Sequence, residues 1–202
     1  MAELHYRADV MRVSREKAAE NRERILNAAA GLFRAKGFGG VGVADIMQAA
    51  NLTHGGFYGH FASKDDLVAQ ASRRTMRGAA ANWEDVVADA PDHPYAALLD
   101  HYLSAWHRDD PGRGCAFAAL GNDAARSGKK VRHAFAEGLQ PLLDILTEAI
   151  PGGSKAVRRR KAVATMAALV GALTLARAVD DPALSDEILI AARRELLAAA
   201  GV

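Results

Sequence analysis

The residues best placed to do chemistry lie in THGGFYGHFASK, residues 53–64. Thr53, His54, Tyr58, His60 and Lys64 supply hydroxyl, imidazole and ammonium groups around three bare positions, Gly55, Gly56 and Gly59. Imidazoles and hydroxyls bond base edges or phosphate oxygens, and lysine binds phosphate as a point charge. Glycine removes the side chain that would keep a backbone away from a ligand, at a helix cost of about 1 kcal/mol each relative to alanine. The chemistry is that of holding a polyanion. No Ser-His-Asp spacing, H-E-x-x-H, phosphate-binding P-loop or metal-ligand cluster accompanies it, so no enzyme activity, cofactor or metal is expected. Gly37, Gly39 and Gly42 have G-x-G-x-x-G spacing, but a helical pattern precedes them where a dinucleotide fold needs a strand.

These groups need short helices to hold them. Ile25, Ala28, Ala29, Leu32 and Phe33 form one apolar stripe, predicting a first helix over 15–36 with Ser14 as N-cap and Gly37 as stop. A second helix is predicted over 43–50, capped at Gly42, with Asp45 in its first turn. A turn at Asn51–Leu52 leads to a third helix over 54–60, with Thr53 as N-cap and Phe57 and Phe61 facing inward. Ser63 and Asp66 then open a long helix running to Asp89, before the break PDHP. Three short helices with a tight turn before the last make a helix-turn-helix, whose last helix enters the major groove of DNA.

The remaining chain also has helical periodicity, over 95–108, 116–127, 129–150, 155–179 and 184–200. DDPGRG, SG, PGGS and DDPALS separate these segments. The fold class expected is all-α, with about nine helices: a flexible arm at 1–14, a helix-turn-helix domain at 15–66 and a second helical domain at 67–202.

The stretch RERILNAAAGLFRAKGF through DIMQAANLTHGGFYGHFASKDDLV resembles the N-terminal domain of TetR/AcrR-type transcriptional repressors over about residues 20–70. The resemblance implies operator contacts from Thr53, His54, Gly55, Tyr58, His60 and Lys64, the last three meeting phosphate. Where the family often has a hydroxyl pair before the second helix, this chain has Val41-Gly42, whose backbone amides can still be presented. It also implies a ligand-binding and dimerisation domain at 67–202, an unknown small-molecule effector and double-stranded operator DNA as partners. Small and apolar residues on 155–179 (Ala164, Ala167, Ala168, Gly171, Ala172, Leu175, Ala176) and on 184–200 (Leu184, Ile188, Leu189, Ala192, Leu196, Leu197) suit a four-helix homodimer interface. The bulky or polar side chains available to a pocket are Trp83, Tyr102, Trp106, Phe117, Asn122, Phe135 and Met166. Cys115 joins them in RGCAFAALGNDAAR, which resembles a NemR-like branch carrying Gly-Cys at this helix start. A lone thiol there either reacts by alkylation, sulfenylation or a bond between subunits, or simply packs as a small apolar residue.

Composition agrees with this reading. Residues 1–78 carry 12 Lys+Arg against 8 Asp+Glu, while the rest carries 14 against 16, placing the basic excess on the helix-turn-helix. The single cysteine excludes an intrachain disulfide. The apolar run Ala162–Ala176 is short for a membrane span. The first twenty residues are charged, so a cytoplasmic protein without a membrane partner is expected.

Overall fold

The computed structural model describes the backbone of residues 2–202 and the side chains of residues 15–202. Among the described residues it is helical throughout, with no strand. The helices are α1 (Ala2–Lys36), α2 (Val43–Ala49), a 3-10 helix (His54–Gly59), α3 (Lys64–Asp89), α4 (Pro94–Tyr102), α5 (Ala105–Asp109), α6 (Ala116–Arg126), α7 (Lys129–Ala149), α8 (Lys155–Ala178) and α9 (Pro182–Ala200).

Two expectations about boundaries need correction. The backbone is already helical from Ala2, so α1 does not begin at a Ser14 cap. Adding residues to an existing helix requires no new nucleus, so weak amphipathicity over 2–14 does not stop it. The side chains of the predicted arm lie outside the described residues. The predicted helix over 95–108 is broken into α4 and α5, with Ser104 Oγ accepting from the His107 amide at 3.2 Å to cap the second piece. The other starts follow local chemistry. Ser63 Oγ accepts from Asp66 N–H, Ser154 Oγ from Val157 N–H, and the Asp181 carboxylate from Ala183 and Leu184 N–H. Gly37 ends α1 with φ +75°, a conformation that favours glycine.

The apolar faces close around two cores. In the first, Ile25, Leu26, Ala29 and Phe33 of α1 meet Ile46, Met47, Phe57, Phe61 and the N-terminal half of α3. Ala116, Leu120 and Ala124 of α6 and Phe135 of α7 belong to the same core. In the second, Trp83 of α3 joins Leu98, Leu99, Leu146, Leu169 and Leu173. α3 therefore runs through both cores, and apolar packing continues across position 66. α8 is long and apolar enough to cross a membrane by length and composition, but here Ala162, Thr165, Met166, Leu169 and Leu173 face the second core.

Gly138 sets how closely α7 approaches α3. A Cβ there would lie 2.4 Å from Met76 Sδ and 2.8 Å from Met76 Cβ, and Met76 is buried. The sulfur can swing away but the Cβ cannot. Gly138→Ala is expected to lower the unfolding free energy by about 1–3 kcal/mol despite alanine's better helix propensity. Urea denaturation checks this, and an unchanged midpoint would contradict the close approach.

Candidate nucleic-acid interface and ligand cavity

The glycine-rich segment is a 3-10 helix held from beneath. Phe57 is 0% exposed and stacks on Phe61 at 5.7 Å, and both are in the first core. The His60 and Phe61 amides both donate to the Phe57 carbonyl, at 2.9 and 3.0 Å. Thr53 occupies the N-cap position, but its hydroxyl makes no capping bond and the residue is exposed. The capping role expected of it is therefore absent: the Gly56 amide bonds the Thr53 backbone carbonyl instead, at 3.1 Å.

The outer face is polar and bare. His54, Gly55, Gly56 and Gly59 are exposed, Tyr58 is 72% exposed, and His60 is half-buried beside Phe61. Neither Gly55 nor Gly59 has a positive φ, and a Cβ built on either would meet nothing within 4 Å. At Gly56 a Cβ would make ordinary contact with Met47 Cε at 3.6 Å. Backbone conformation and internal packing thus give no reason for glycine at 55 and 59, which leaves what the surface meets.

Two expected contacts are already occupied within the chain. Lys64 Nζ donates to the Phe38 carbonyl at 2.6 Å, tying the start of α3 to the loop after α1, and only its remaining N–H donors are available outward. The Gly42 amide donates to the Asp45 carboxylate at 2.8 Å, so it is not presented. Val41 is buried. Two residues that sequence reasoning passed over lock the unit. The Arg24 guanidinium donates to the carbonyls of Ala50 and Asn51, holding the turn where Asn51 has φ +53°. Arg22 lies over the Phe61 ring at 5.0 Å and donates to Gln70. Both project from α1, and only tertiary packing reveals their partners.

Behind this unit a cavity of about 410 Å³ opens between α1, α3 and the α4–α6 region. Of the pocket residues expected from sequence, Trp83, Tyr102, Trp106 and Cys115 line it. The other four do not line it. Phe117 packs edge-on to Phe135 at 5.4 Å and Phe135 packs on Phe38, filling core. Met166 is buried in the second core, and Asn122 sits exposed on α6. Lining residues missed from sequence include Arg34, Thr75, His101 and His107.

His107 organises the cavity wall. Its Nδ1–H donates to the Tyr102 carbonyl at 2.7 Å, and its Nε2 accepts the Cys115 amide at 2.8 Å. That pair of partners assigns the neutral Nδ1–H tautomer. Burial pushes its pKa down to about 4, outweighing the Tyr102 carbonyl, which favours the charged ring; Arg177 and His101 push it down further. The Arg177 guanidinium donates to the carbonyls of Arg108 and His107, at 3.0 and 2.5 Å. Gly114 is required here, since a Cβ would come within 2.7 Å of Arg177 Nη2 and 2.9 Å of His107 Cδ2.

Three hydrogen bonds tie α1 and the loop after it to the rest of the chain. Arg34 of α1 donates from Nε to the Gly112 carbonyl at 2.8 Å and from Nη1 to Thr75 Oγ1 at 2.6 Å. Asp123 of α6 accepts the Phe38 amide at 2.9 Å, and Phe38 in turn holds Lys64. Asp123 therefore links α6 to the surface unit and does not line the cavity.

Comparison with known proteins agrees with this geometry. Residues 25–71 match the family described as bacterial regulatory proteins, tetR family. The chain is 36% identical over 59 residues to the HTH-type transcriptional regulator AcrR of Shigella flexneri, a match spanning 29% of this chain and 27% of that relative. A TetR-family transcriptional regulator from Streptomyces coelicolor superposes with a TM-score of 0.72 at 25% identity, over 91% of this chain and 97% of that one. Reduced NemR of E. coli has the same fold, with a TM-score of 0.72 at 20% identity over 87% of this chain and 94% of its own. Residues 25–71 thus carry a helix-turn-helix sequence of the tetR family, on a chain whose fold matches that of a solved TetR-family regulator over 91% of its length.

Proposed function

We propose that this protein is a ligand-responsive transcriptional regulator that binds operator DNA as a homodimer and leaves it when a small molecule fills the cavity. The observation that carries the reading is the pair Gly55 and Gly59, which neither packing nor backbone geometry requires, on the exposed face between Thr53, His54, Tyr58 and His60. Backbone laid close to a duplex accounts for them. Repression is the family's usual sense, and the cytoplasm is where such a protein meets DNA.

The dimer is read from α8 and α9. Ala164, Ala167, Ala168, Leu175 and Leu184 are exposed on the single chain, whereas Ala172, Ala176 and Leu189 fill its own core. The exposed set supplies a flat, small-residue face for a second copy. Two recognition segments related by a two-fold axis then read half-sites about 34–36 Å apart. Release requires the effector to favour a state with wrong spacing; a coupling of ~3 kcal/mol weakens operator binding roughly 150-fold.

Fluorescence anisotropy on duplexes from the region around the gene tests the reading. Specific binding that falls on the order of a thousandfold between about 50 and 200 mM salt is expected. Weak binding indifferent to sequence and salt would instead leave a helical small-molecule-binding or interaction protein.

A further inference from the structure

The chemistry of the cavity points to its ligand. Its lining contains three guanidiniums, Arg34, Arg74 and Arg113, and no carboxylate. Arg74 is paired with Glu23, and Arg113 with Asp110 at 2.6 Å. Arg34 differs: its described bonds go only to the Gly112 carbonyl and the Thr75 hydroxyl, and no ion pair is among them. Asp110, the one carboxylate that acts on it among the described residues, is held by Arg113 through both side chain and backbone. A half-buried guanidinium bonded only to neutral oxygens keeps its charge available to an anion.

A second observation is independent of charge. The Tyr102 side chain is 2% exposed and lines the cavity; among the described residues its hydroxyl makes no hydrogen bond of good geometry, its polar neighbour being the weakly bonding Cys115 thiol. A buried unpaired hydroxyl costs free energy that a bound acceptor recovers. The rest of the wall is aromatic. Trp83 and Tyr102 pack edge to face at 6.0 Å, Tyr102 and His107 at 4.6 Å, and Trp106 stands 53% exposed where the cavity meets solvent. Aromatic walls alone would also suit a cation, but the Arg34 charge, which no ion pair among the described residues offsets, opposes one.

Resting on the ligand-responsive reading above, we propose that the cavity receives a small aromatic anion, its acidic group bound by Arg34 and the Tyr102 hydroxyl and its ring by the Trp83–Trp106 wall. A volume of about 410 Å³ accommodates one or two rings and not a long chain.

Both tryptophans of the chain line this cavity, so their two indole N–H resonances report on it directly. The full-length protein is titrated with 2-naphthoate, with its neutral counterpart 2-naphthamide and with the cation 2-naphthylmethylamine, and affinities are taken by calorimetry. The carboxylate is expected to move both indole resonances and to bind at least about tenfold tighter than the amide, with the amine weakest. Tyr102→Phe should weaken the carboxylate roughly ten- to hundredfold while thermal stability stays the same or rises, because the residue removed is an unpaired hydroxyl. Arg34→Gln should erase the preference of carboxylate over amide; should that variant unfold, Tyr102→Phe alone decides. Equal binding of amide or amine, carboxylate binding that leaves both indoles unmoved, or full affinity in Tyr102→Phe would overturn the proposal. Duplex binding of the ligand-free protein is measured in parallel. Anion binding without duplex binding removes the regulator reading and keeps the ligand class, and duplex binding without anion selectivity does the reverse.

Discussion

Gly55→Leu together with Gly59→Leu is expected to cost on the order of a hundredfold or more in operator affinity, equivalent to the loss of one or two good groove contacts. The same protein should unfold at an unchanged or slightly higher urea concentration. Both parts come from one observation. A side chain at either position enters open space, so nothing inside the protein resists it. Replacing a strain-free glycine with alanine stabilises by about 0.4–1 kcal/mol through the unfolded chain, and leucine should act similarly on this exposed face. Only a surface pressed against the segment can object to the added bulk. Gly55→Ala with Gly59→Ala should give an intermediate loss, because a methyl group lifts the backbone less. Anisotropy at fixed salt and urea denaturation on the same preparations separate the effects. If stability fell while operator affinity held, the glycines would serve the fold and the DNA face would lie elsewhere.

The second large effect is a pH dependence of stability centred on His107. Its folded pKa of about 4 lies below the ordinary value of 6.5, so between these limits the unfolded chain takes up a proton that the folded protein refuses. Stability is therefore full above about pH 6.5, falls as pH drops through that window, and loses nothing further from this group below about 4. The loss is about 3 kcal/mol across the window. His101, whose pKa is also lowered by burial, contributes in the same direction. The paired carboxylates act in another range. Asp66, held down chiefly by Lys130, and Asp110, held down chiefly by Arg113, lose their contributions only as pH falls below the normal carboxylate value of 3.8. Urea unfolding at pH 7 and pH 4.5 should thus differ by most of the His107 effect. His107→Gln should be less stable at pH 7 and should lose most of the difference between the two pH values. An unaltered pH slope in that variant would assign the effect to other groups. Protonation also removes the acceptor for the Cys115 amide, so the start of α6 should loosen over the same range.

The helical class, most helix ends and the recognition segment were legible in the amino-acid order alone. These depend on information within a few residues: apolar groups recurring every three or four positions, Ser63, Ser154 and Asp181 bonding amides two or three residues on, and Gly37 supplying the left-handed stop. The oddity of glycines at 55, 56 and 59 was also visible, because its cost is local. Which residues face one another was decided only by the tertiary structure. Lys64 reads as a free surface cation until Phe38 brings its carbonyl alongside, and Gly42 reads as an open amide until Asp45 folds back upon it. The break between α4 and α5 gives His107 partners on both sides, one of them Cys115 eight residues on, a bond that no helical period encodes. Phe117, Phe135 and Met166 resemble Trp83 and Trp106 in size and apolarity, yet helix rotation sends the first three into core and the other two to the cavity. Side-chain type constrains what a residue can bond, but the partner is chosen by packing between elements distant along the chain, and that choice exists only once the helices have closed on one another.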